Sequence, residues 1–140
     1  MTRRFPNSLW TTPFPSSKLK FIDLGSGIGN VVLHVAAQTN WKCYGVELDE
    51  NRANQAKKFK KEFSLFLEQI GKDHNDFEKR IILEQGDFMM DKKSKISSES
   101  GEKKKKPTDW KQVIEKSNII FTNNYVFDGL NTKMVQMFKQ

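Results

Sequence analysis

A glycine-rich loop between an apolar strand and an apolar helix constrains the fold of this chain more than any other feature. Gly25, Gly27 and Gly29 stand at alternate positions, and Asp23 lies two residues before the first of them. The preceding FIDL segment predicts a strand, and the following NVVLHVAAQ segment predicts a helix. Glycine permits the sharp turn between them and leaves no Cβ between the backbone and a ligand. The pattern therefore predicts a strand–loop–helix unit whose loop binds a nucleotide-type cofactor.

A second acidic residue narrows the class of cofactor. Glu47 ends a predicted second strand and is placed to accept hydrogen bonds from both hydroxyls of a ribose. The dinucleotide pattern G-x-G-x-x-G fails, because Asn30 stands where its last glycine would be. A carboxylate at Asp23 would repel a diphosphate but suits the ammonium group of an amino acid. The two acids favour S-adenosylmethionine over NAD; the alternative is a structural turn whose glycines serve only the backbone.

The order of predicted elements indicates a parallel α/β sheet in a single domain of 140 residues. Strands are predicted at 21–24, 42–47, 80–85 and 118–122, and helices at 30–38, 49–71, 109–116 and 130–139. We expect an irregular, proline-rich leader over residues 1–20 and a core over 21–140. No apolar run approaches the length of a membrane span, and no signal peptide is evident. The single Cys43 falls in a buried strand, which favours core packing in a reducing compartment.

The long second helix is predicted to have two faces. Its apolar stripe is typical of a helix packed on a sheet, and its other face would be basic and exposed. The stripe consists of Phe59, Phe63, Phe66, Leu67 and Ile70, and the basic face of Arg52, Lys57, Lys60 and Lys61.

A lysine-rich tract interrupts the core at about residues 91–108, and we expect it to be a disordered insertion. Residues 91–106 hold seven Lys against three acids, and the whole chain has a net charge of +7. A solvated loop is one reading, and contact with nucleic-acid phosphates or an acidic protein surface is the other. The lysines are Lys92, Lys93, Lys95, Lys103, Lys104, Lys105 and Lys106.

In a parallel sheet the ligand lies beyond the carboxyl ends of the strands, so four loops should converge there. Asp87 and Phe88 follow the third strand, where the carboxylate would accept from the exocyclic amine of adenine and the ring would stack on the base. The alternative is a helix cap at Asp87 and a core Phe88. Asn123 and Asn124 follow the fourth strand and are either site residues or simple turn residues.

Four segments together resemble the catalytic core of the Dot-type (disruptor of telomeric silencing) histone-lysine methyltransferases. They are FIDLGSGIGNVVLHVAAQTN, YGVE, GDF at 86–88 and IIFTNNYVF at 119–127. The resemblance implies a class I, Rossmann-like S-adenosylmethionine-dependent methyltransferase fold. It further implies a nuclear chromatin regulator that methylates a core lysine of histone H3 in nucleosomes, without a metal.

The resemblance also implies a role for each matching position. The methionine end of the cofactor would be lined by Asp23, Gly25, Ser26, Gly27, Gly29 and Asn30, the ribose would be held by Glu47, and adenine by Asp87 and Phe88. The lysine channel would be bordered by Asn123, Phe121, Tyr125 and Phe127. Members of the family usually have Gln where Asn30 stands, so the shorter side chain weakens that contact.

Two departures from the family pattern bear on activity. The helical region that precedes the first strand in related enzymes, and about three later strands, have no counterpart in these residues, which implies a sheet incomplete at both ends. We therefore expect poor methyl transfer by this chain alone and an open edge at the fourth strand. The alternatives are a catalytically inactive, basic nucleosome- or DNA-binding fragment and a class I methyltransferase acting on RNA or a small molecule.

Overall fold

The computed structural model describes residues 19–89 and 108–123, together with positions 135, 136 and 139. The strands are β1 (Lys20–Leu24), β2 (Lys42–Glu47), β3 (Ile81–Gln85) and β4 (Ile119–Thr122). The helices are α1 (Asn30–Gln38), α2 (Glu50–Gln69), α3 (His74–Arg80) and α4 (Trp110–Glu115). The predicted leader, except its last two residues, the lysine-rich tract and nearly all of the last predicted helix lie outside the described residues.

All four strands are parallel and lie in the order β3-β2-β1-β4. Each crossover between neighbouring strands passes through at least one helix, as parallel pairing requires. This confirms the predicted Rossmann-like α/β sheet. Within the described residues β4 is an edge strand, and its Ile119, Ile120 and Phe121 side chains are partly exposed.

Alternation along the strands builds two apolar layers, one on each face of the sheet. Phe21 and Cys43 face α1, α2 and α3, and pack with Val32, Ala36 and Phe77. Cys43 is fully buried there, which confirms its predicted packing role. On the opposite face, Ile22, Leu24, Tyr44 and Val46 pack against Trp110 and Ile114 of α4. The site edge of the sheet is therefore supported from both sides.

Local signals located most element boundaries. Helix α1 and strand β2 have the predicted bounds, and Asp49 caps α2 by accepting from the Arg52 amide at 2.8 Å. Helix α3 was not predicted, because its seven residues bury only Phe77 and so show no repeating apolar stripe. Arg80 is consequently the last residue of α3 and does not begin β3 as predicted.

The predicted division of α2 into a buried apolar face and an exposed basic face is partly wrong. Small residues, Ala53, Ala56 and Ser64, are the ones buried. Phe63 and Leu67 are half-buried at the flank of the core, while Phe59, Phe66 and Ile70 are exposed. Lys60 is half-buried, because its ammonium group donates to the Ile81 carbonyl at 2.8 Å. Among the helices described, none is both long and apolar enough to cross a membrane.

Candidate functional site: the glycine loop at the carboxyl edge

The glycine loop joins β1 to α1 at the carboxyl edge of the sheet, and all three glycines have left-handed backbone. Their φ angles are 82° at Gly25, 56° at Gly27 and 80° at Gly29. A residue with a Cβ would be strained at each of these positions. A Cβ at Gly25 or Gly27 would meet no atom within 4 Å, so these two glycines border open space. They are the part of the loop that a ligand can approach.

Gly29 lies in a packed environment, unlike Gly25 and Gly27, although the sequence predicts that all three line the cofactor. A Cβ there would lie 3.1 Å from Leu83 Cδ1 and 3.2 Å from Ala56 Cβ. Ser26, also predicted to line the cofactor, is buried, and its side chain lies against the backbone of Gly45. Gly29 and Ser26 therefore fasten the loop to α2, β2 and β3 and hold the other two glycines in place.

The backbone N–H groups of the loop are largely used within the protein. The Gly25 and Ser26 amides both donate to the Val46 carbonyl, at 2.9 and 3.0 Å, and the Gly29 amide donates to Ser26 at 2.9 Å. The Gly27 amide donates to Glu47 Oε2 at 2.7 Å. Because these N–H groups already donate within the protein, the loop is poorly suited to bind a diphosphate, which needs several converging N–H donors.

Asp23 and Glu47 place two buried carboxylates beside the loop, with 3% and 7% of their surfaces exposed. Burial, and to a lesser extent the neighbouring Glu47 charge, raises the pKa of the Asp23 carboxyl to about 6. Among the described residues, the ion pairs involve other groups, and none reaches either acid. The local charge is therefore suited to a cationic ligand group, which would favour the ionised form of Asp23.

Both side-chain oxygens of Glu47 also accept hydrogen bonds from backbone amides. Oε2 accepts from Gly27, and Oε1 accepts from the Asp49 amide at 3.0 Å. A carboxylate has about four lone-pair sites, so each oxygen keeps capacity for one more donor. Glu47 thus fixes the loop and still presents acceptors at the carboxyl end of β2, where a ribose diol would lie.

The Gly86–Phe88 segment reaches the same edge from β3. The Gly86 amide donates to the Glu47 carbonyl at 2.9 Å, which ties this segment to the predicted ribose site. Asp87 Oδ1 accepts from the Met89 amide at 2.9 Å, so the carboxylate closes a local turn. Phe88 is half-buried against the α4-side core. Phe88 thus packs on the core as the alternative interpretation expected, whereas Asp87 closes a turn and caps no helix among the described residues. Both remain beside the predicted adenine position.

The predicted channel residues are only partly within the described chain. Asn123 is exposed just after β4, at the carboxyl edge. Phe121 pairs in register with Asp23, and its ring lies 6.5 Å from that of Phe21 on the sheet face. Tyr125, Phe127 and Asn124 lie outside the described residues.

Asn30 is exposed as the first residue of α1, and Gly29 caps that helix without a side-chain hydrogen bond. Within residues 19–89 and 108–123, no group of three or more acids, histidines or cysteines is arranged to hold a metal ion. One residue beside the site, Trp110, was not singled out from the sequence. A lone tryptophan at the start of a short helix has no pattern that distinguishes it from core packing.

Known proteins resemble this chain over most of its length. The family model described as "Histone methylation protein DOT1" matches residues 14–140. Three similar proteins are each called histone-lysine N-methyltransferase, H3 lysine-79 specific. That of Caenorhabditis elegans is 34% identical over 85% of this chain and 11% of its own length. Those of Gibberella zeae and Chaetomium globosum are 33% and 29% identical, over 84% and 88% of this chain and 20% of each relative.

Proposed function

The chain belongs to the family of DOT1 histone methylation proteins, and on that basis we propose that it binds S-adenosylmethionine and methylates a lysine of histone H3. The substrate would be the nucleosome, in the nucleus, and the target would be lysine 79 of H3, the residue for which the relatives are named. The chain spans between a tenth and a fifth of the length of the three relatives described, so these functions of whole proteins are proposals for it.

The observation that supports the cofactor best is the chemistry of the loop. Its N–H groups already donate to the Val46 and Ser26 carbonyls and to the Glu47 carboxylate. The buried carboxyl group of Asp23 lies at the start of the loop. NAD would bring a diphosphate to a place with few donors and two carboxylates. S-adenosylmethionine would bring an ammonium group to Asp23 and a ribose to Glu47, and neither group is repelled.

The remaining roles follow the positions around the edge. Gly25 and Gly27 would border the methionine end, since open space lies beside them. Asp87 would accept from the exocyclic amine of adenine through the oxygen that does not bind Met89, with Phe88 against the base. Asn123, together with Phe121, Tyr125 and Phe127, would border the channel for the substrate lysine.

The reaction needs little acid–base chemistry from the protein. S-adenosylmethionine supplies a reactive sulfonium methyl group when bound. The chain's residues would align the lysine amine with that methyl group and exclude water. The lysine must be neutral to attack, and an apolar, aromatic channel lowers its pKa by disfavouring the ammonium form.

Ligand binding at several pH values tests the cofactor assignment. Ionisation of Asp23 should strengthen binding of S-adenosylhomocysteine about tenfold between pH 5 and 7, because the pKa of about 6 lies between them. Methylthioadenosine, which lacks the amino-acid group, should show no such rise, and NAD should not bind. Calorimetry in which NAD competes, or in which both adenosine ligands follow the same pH curve, would contradict the assignment.

Transfer to reconstituted nucleosomes tests the substrate. Because poor transfer is expected of this chain alone, the assay joins it to the flanking segments of a longer relative. Radiolabelled methyl groups should then enter H3, and nucleosomes whose H3 lysine 79 is replaced by arginine should remain unlabelled. Asn123→Ala should lower transfer while leaving the affinity for S-adenosylhomocysteine unchanged, because Asn123 is exposed at the edge beyond β4. Labelling of RNA or of free small amines, with no label in H3, would favour another class of substrate.

The lysine-rich tract is proposed to contact nucleosomal DNA. Seven lysines within residues 91–106 can neutralise several phosphates. Deleting residues 92–106 should reduce the slope of log affinity against log salt by roughly 3–4 units, if about four phosphates are engaged. An unchanged slope would leave the tract as a solvated insertion, whereas salt-sensitive binding without any methyl transfer would favour the inactive nucleosome-binding alternative.

A further inference from the structure

Trp110 lies directly beneath the segment that is predicted to bind adenine. It is the first residue of α4, it is only 8% exposed, and its side chain belongs to the core layer formed with Leu24, Tyr44 and Val46. A Cβ added to Gly86 would lie 2.7 Å from Trp110 Nε1 and 3.4 Å from Cδ1. The indole therefore fills the space that any larger residue at position 86 would need.

Two further residues of the segment pack against the core layer to which the indole belongs. Phe88 and Met89 are half-buried and pack against the core layer that contains Trp110. The Met89 amide in turn holds Asp87 Oδ1 at 2.9 Å, which fixes the direction of that carboxylate. The Gly86 amide donates to the Glu47 carbonyl, so the other end of the segment is tied to β2.

We propose that Trp110 is a positioning residue that sets the specificity of this site for adenine, by holding Asp87 where it meets the exocyclic amine. The inference rests on the proposed cofactor and extends it. Trp110 lies against Gly86 from the core side, and it would act on the ligand through the segment that carries Asp87. A small movement of Asp87 would separate its carboxylate from the amine, whereas the Glu47 carboxylate would keep its own hydrogen bonds to Gly27 and Asp49.

A pair of ligands separates this role from simple core packing. S-adenosylhomocysteine has an amine at position 6 of the base, whereas S-inosylhomocysteine has a carbonyl oxygen that an ionised Asp87 would repel. The wild-type chain should prefer the adenine ligand about tenfold or more, since a hydrogen bond to a charged acceptor contributes on that scale. Trp110→Phe, which removes Nε1 and narrows the ring, should reduce the ratio of the two affinities to about threefold or less.

Trp41→Phe is the matched control. Trp41 is a half-buried tryptophan that packs against the opposite core layer. It should lower stability without changing the ratio of the two affinities. Gly86→Ala tests the same contact from the other side without removing a core ring, and it should reduce the ratio as Trp110→Phe does. The double variant Gly86→Ala/Trp110→Phe should regain part of the lost selectivity, because the smaller ring makes room for the added methyl group.

The outcomes are distinct. Equal weakening of both ligands in Trp110→Phe and Gly86→Ala, with the ratio unchanged, would assign Trp110 to core packing and overturn the inference while sparing the proposed cofactor. Absence of binding of either ligand to the folded wild-type chain would overturn the cofactor assignment and this inference with it. A lowered ratio in both single variants, with recovery in the double variant, would support the positioning role.

Discussion

The two edges of the sheet differ in how their charged side chains are partnered. At the amino-terminal edge, Arg80 is paired with an acid: Nε lies 2.7 Å from Asp76 Oδ2, and its terminal nitrogens donate to the carbonyls of Ala36 and Trp41 at 3.0 to 3.2 Å. At the carboxyl edge, Asp23 and Glu47 are both buried, and the pKa of the Asp23 carboxyl is raised first by burial and second by the Glu47 charge. One edge stabilises the fold, whereas the other keeps an unfavourable charge arrangement that a cationic ligand would relieve.

The contrast separates a residue whose contacts stabilise the fold from one whose burial carries a cost in the free protein. Arg80 closes the end of α1 and the turn into β2, so its contacts are complete without a ligand. Asp23 is less favourable when ionised in the free protein than in the unfolded chain. Sites that bind or react commonly contain such perturbed groups.

The largest effect is expected at Asp23 and would reverse the usual outcome of altering a buried residue. The pKa rises from 3.8 to about 6 on folding. The stabilising contribution of the protonated form is thus complete below pH 4 and is lost as the pH rises through 6, a cost of about 3 kcal/mol at most. Asp23→Asn should therefore raise the free energy of unfolding at pH 8, by up to that amount, and much less at pH 4.

Urea denaturation at the two pH values measures this difference, with Asp49→Asn as control. Asp49 is an exposed helix cap, and Asn caps equally well, so no such pH dependence is expected. The same Asp23→Asn variant should lose affinity for S-adenosylhomocysteine. Loss of stability at pH 8 would show that the two edges do not differ in the way described.

The opposite edge should respond with a plain loss of stability. Arg80→Ala removes the guanidinium hydrogen bonds to the Ala36 and Trp41 carbonyls, and we expect a loss of about 2 kcal/mol in the free energy of unfolding. Cofactor affinity should be unchanged, because Arg80 lies at the far end of the strands. Arg52→Ala, which removes a long, exposed pair with Asp49, should change stability by less than about 0.5 kcal/mol. If the two variants lost equal stability in chemical denaturation, the stabilising role given to the Arg80 hydrogen bonds would be refuted.

A smaller effect should divide the glycine loop itself. Gly27→Ala places a residue with a Cβ in left-handed backbone, at a cost of about 1–2 kcal/mol, and directs the methyl group into open space. Gly29→Ala has the same backbone cost and also crowds Leu83 and Ala56. Thermal unfolding should therefore show the larger loss for Gly29→Ala. Ligand affinity, compared under conditions where both variants are folded, should fall more for Gly27→Ala.

Local patterns in the sequence were sufficient for most of the fold. The strand–glycine–helix unit, the Asp49 cap and the parallel order depend on neighbours within a few residues and on the alternation of strands and helices, and all three predictions are confirmed. The short helix α3 could not be predicted from periodicity, because its seven residues bury a single apolar side chain. Part of the α2 stripe proved exposed because small residues, and not the large ones, face the sheet.

The residues of the candidate site could be named from the sequence alone: an acid before three glycines, a second acid at the end of β2, and the aspartate–phenylalanine pair after β3. Which of these residues face open space depends on the packing of the whole sheet. Gly27 and Gly29 are both glycines with a positive φ angle, yet Gly27 borders open space and Gly29 packs against Leu83. The same holds for Trp110, whose position under Gly86 depends on where α4 crosses the sheet. Local propensity acts over a few residues, whereas these contacts join segments that are far apart in the chain and meet only when the sheet is complete.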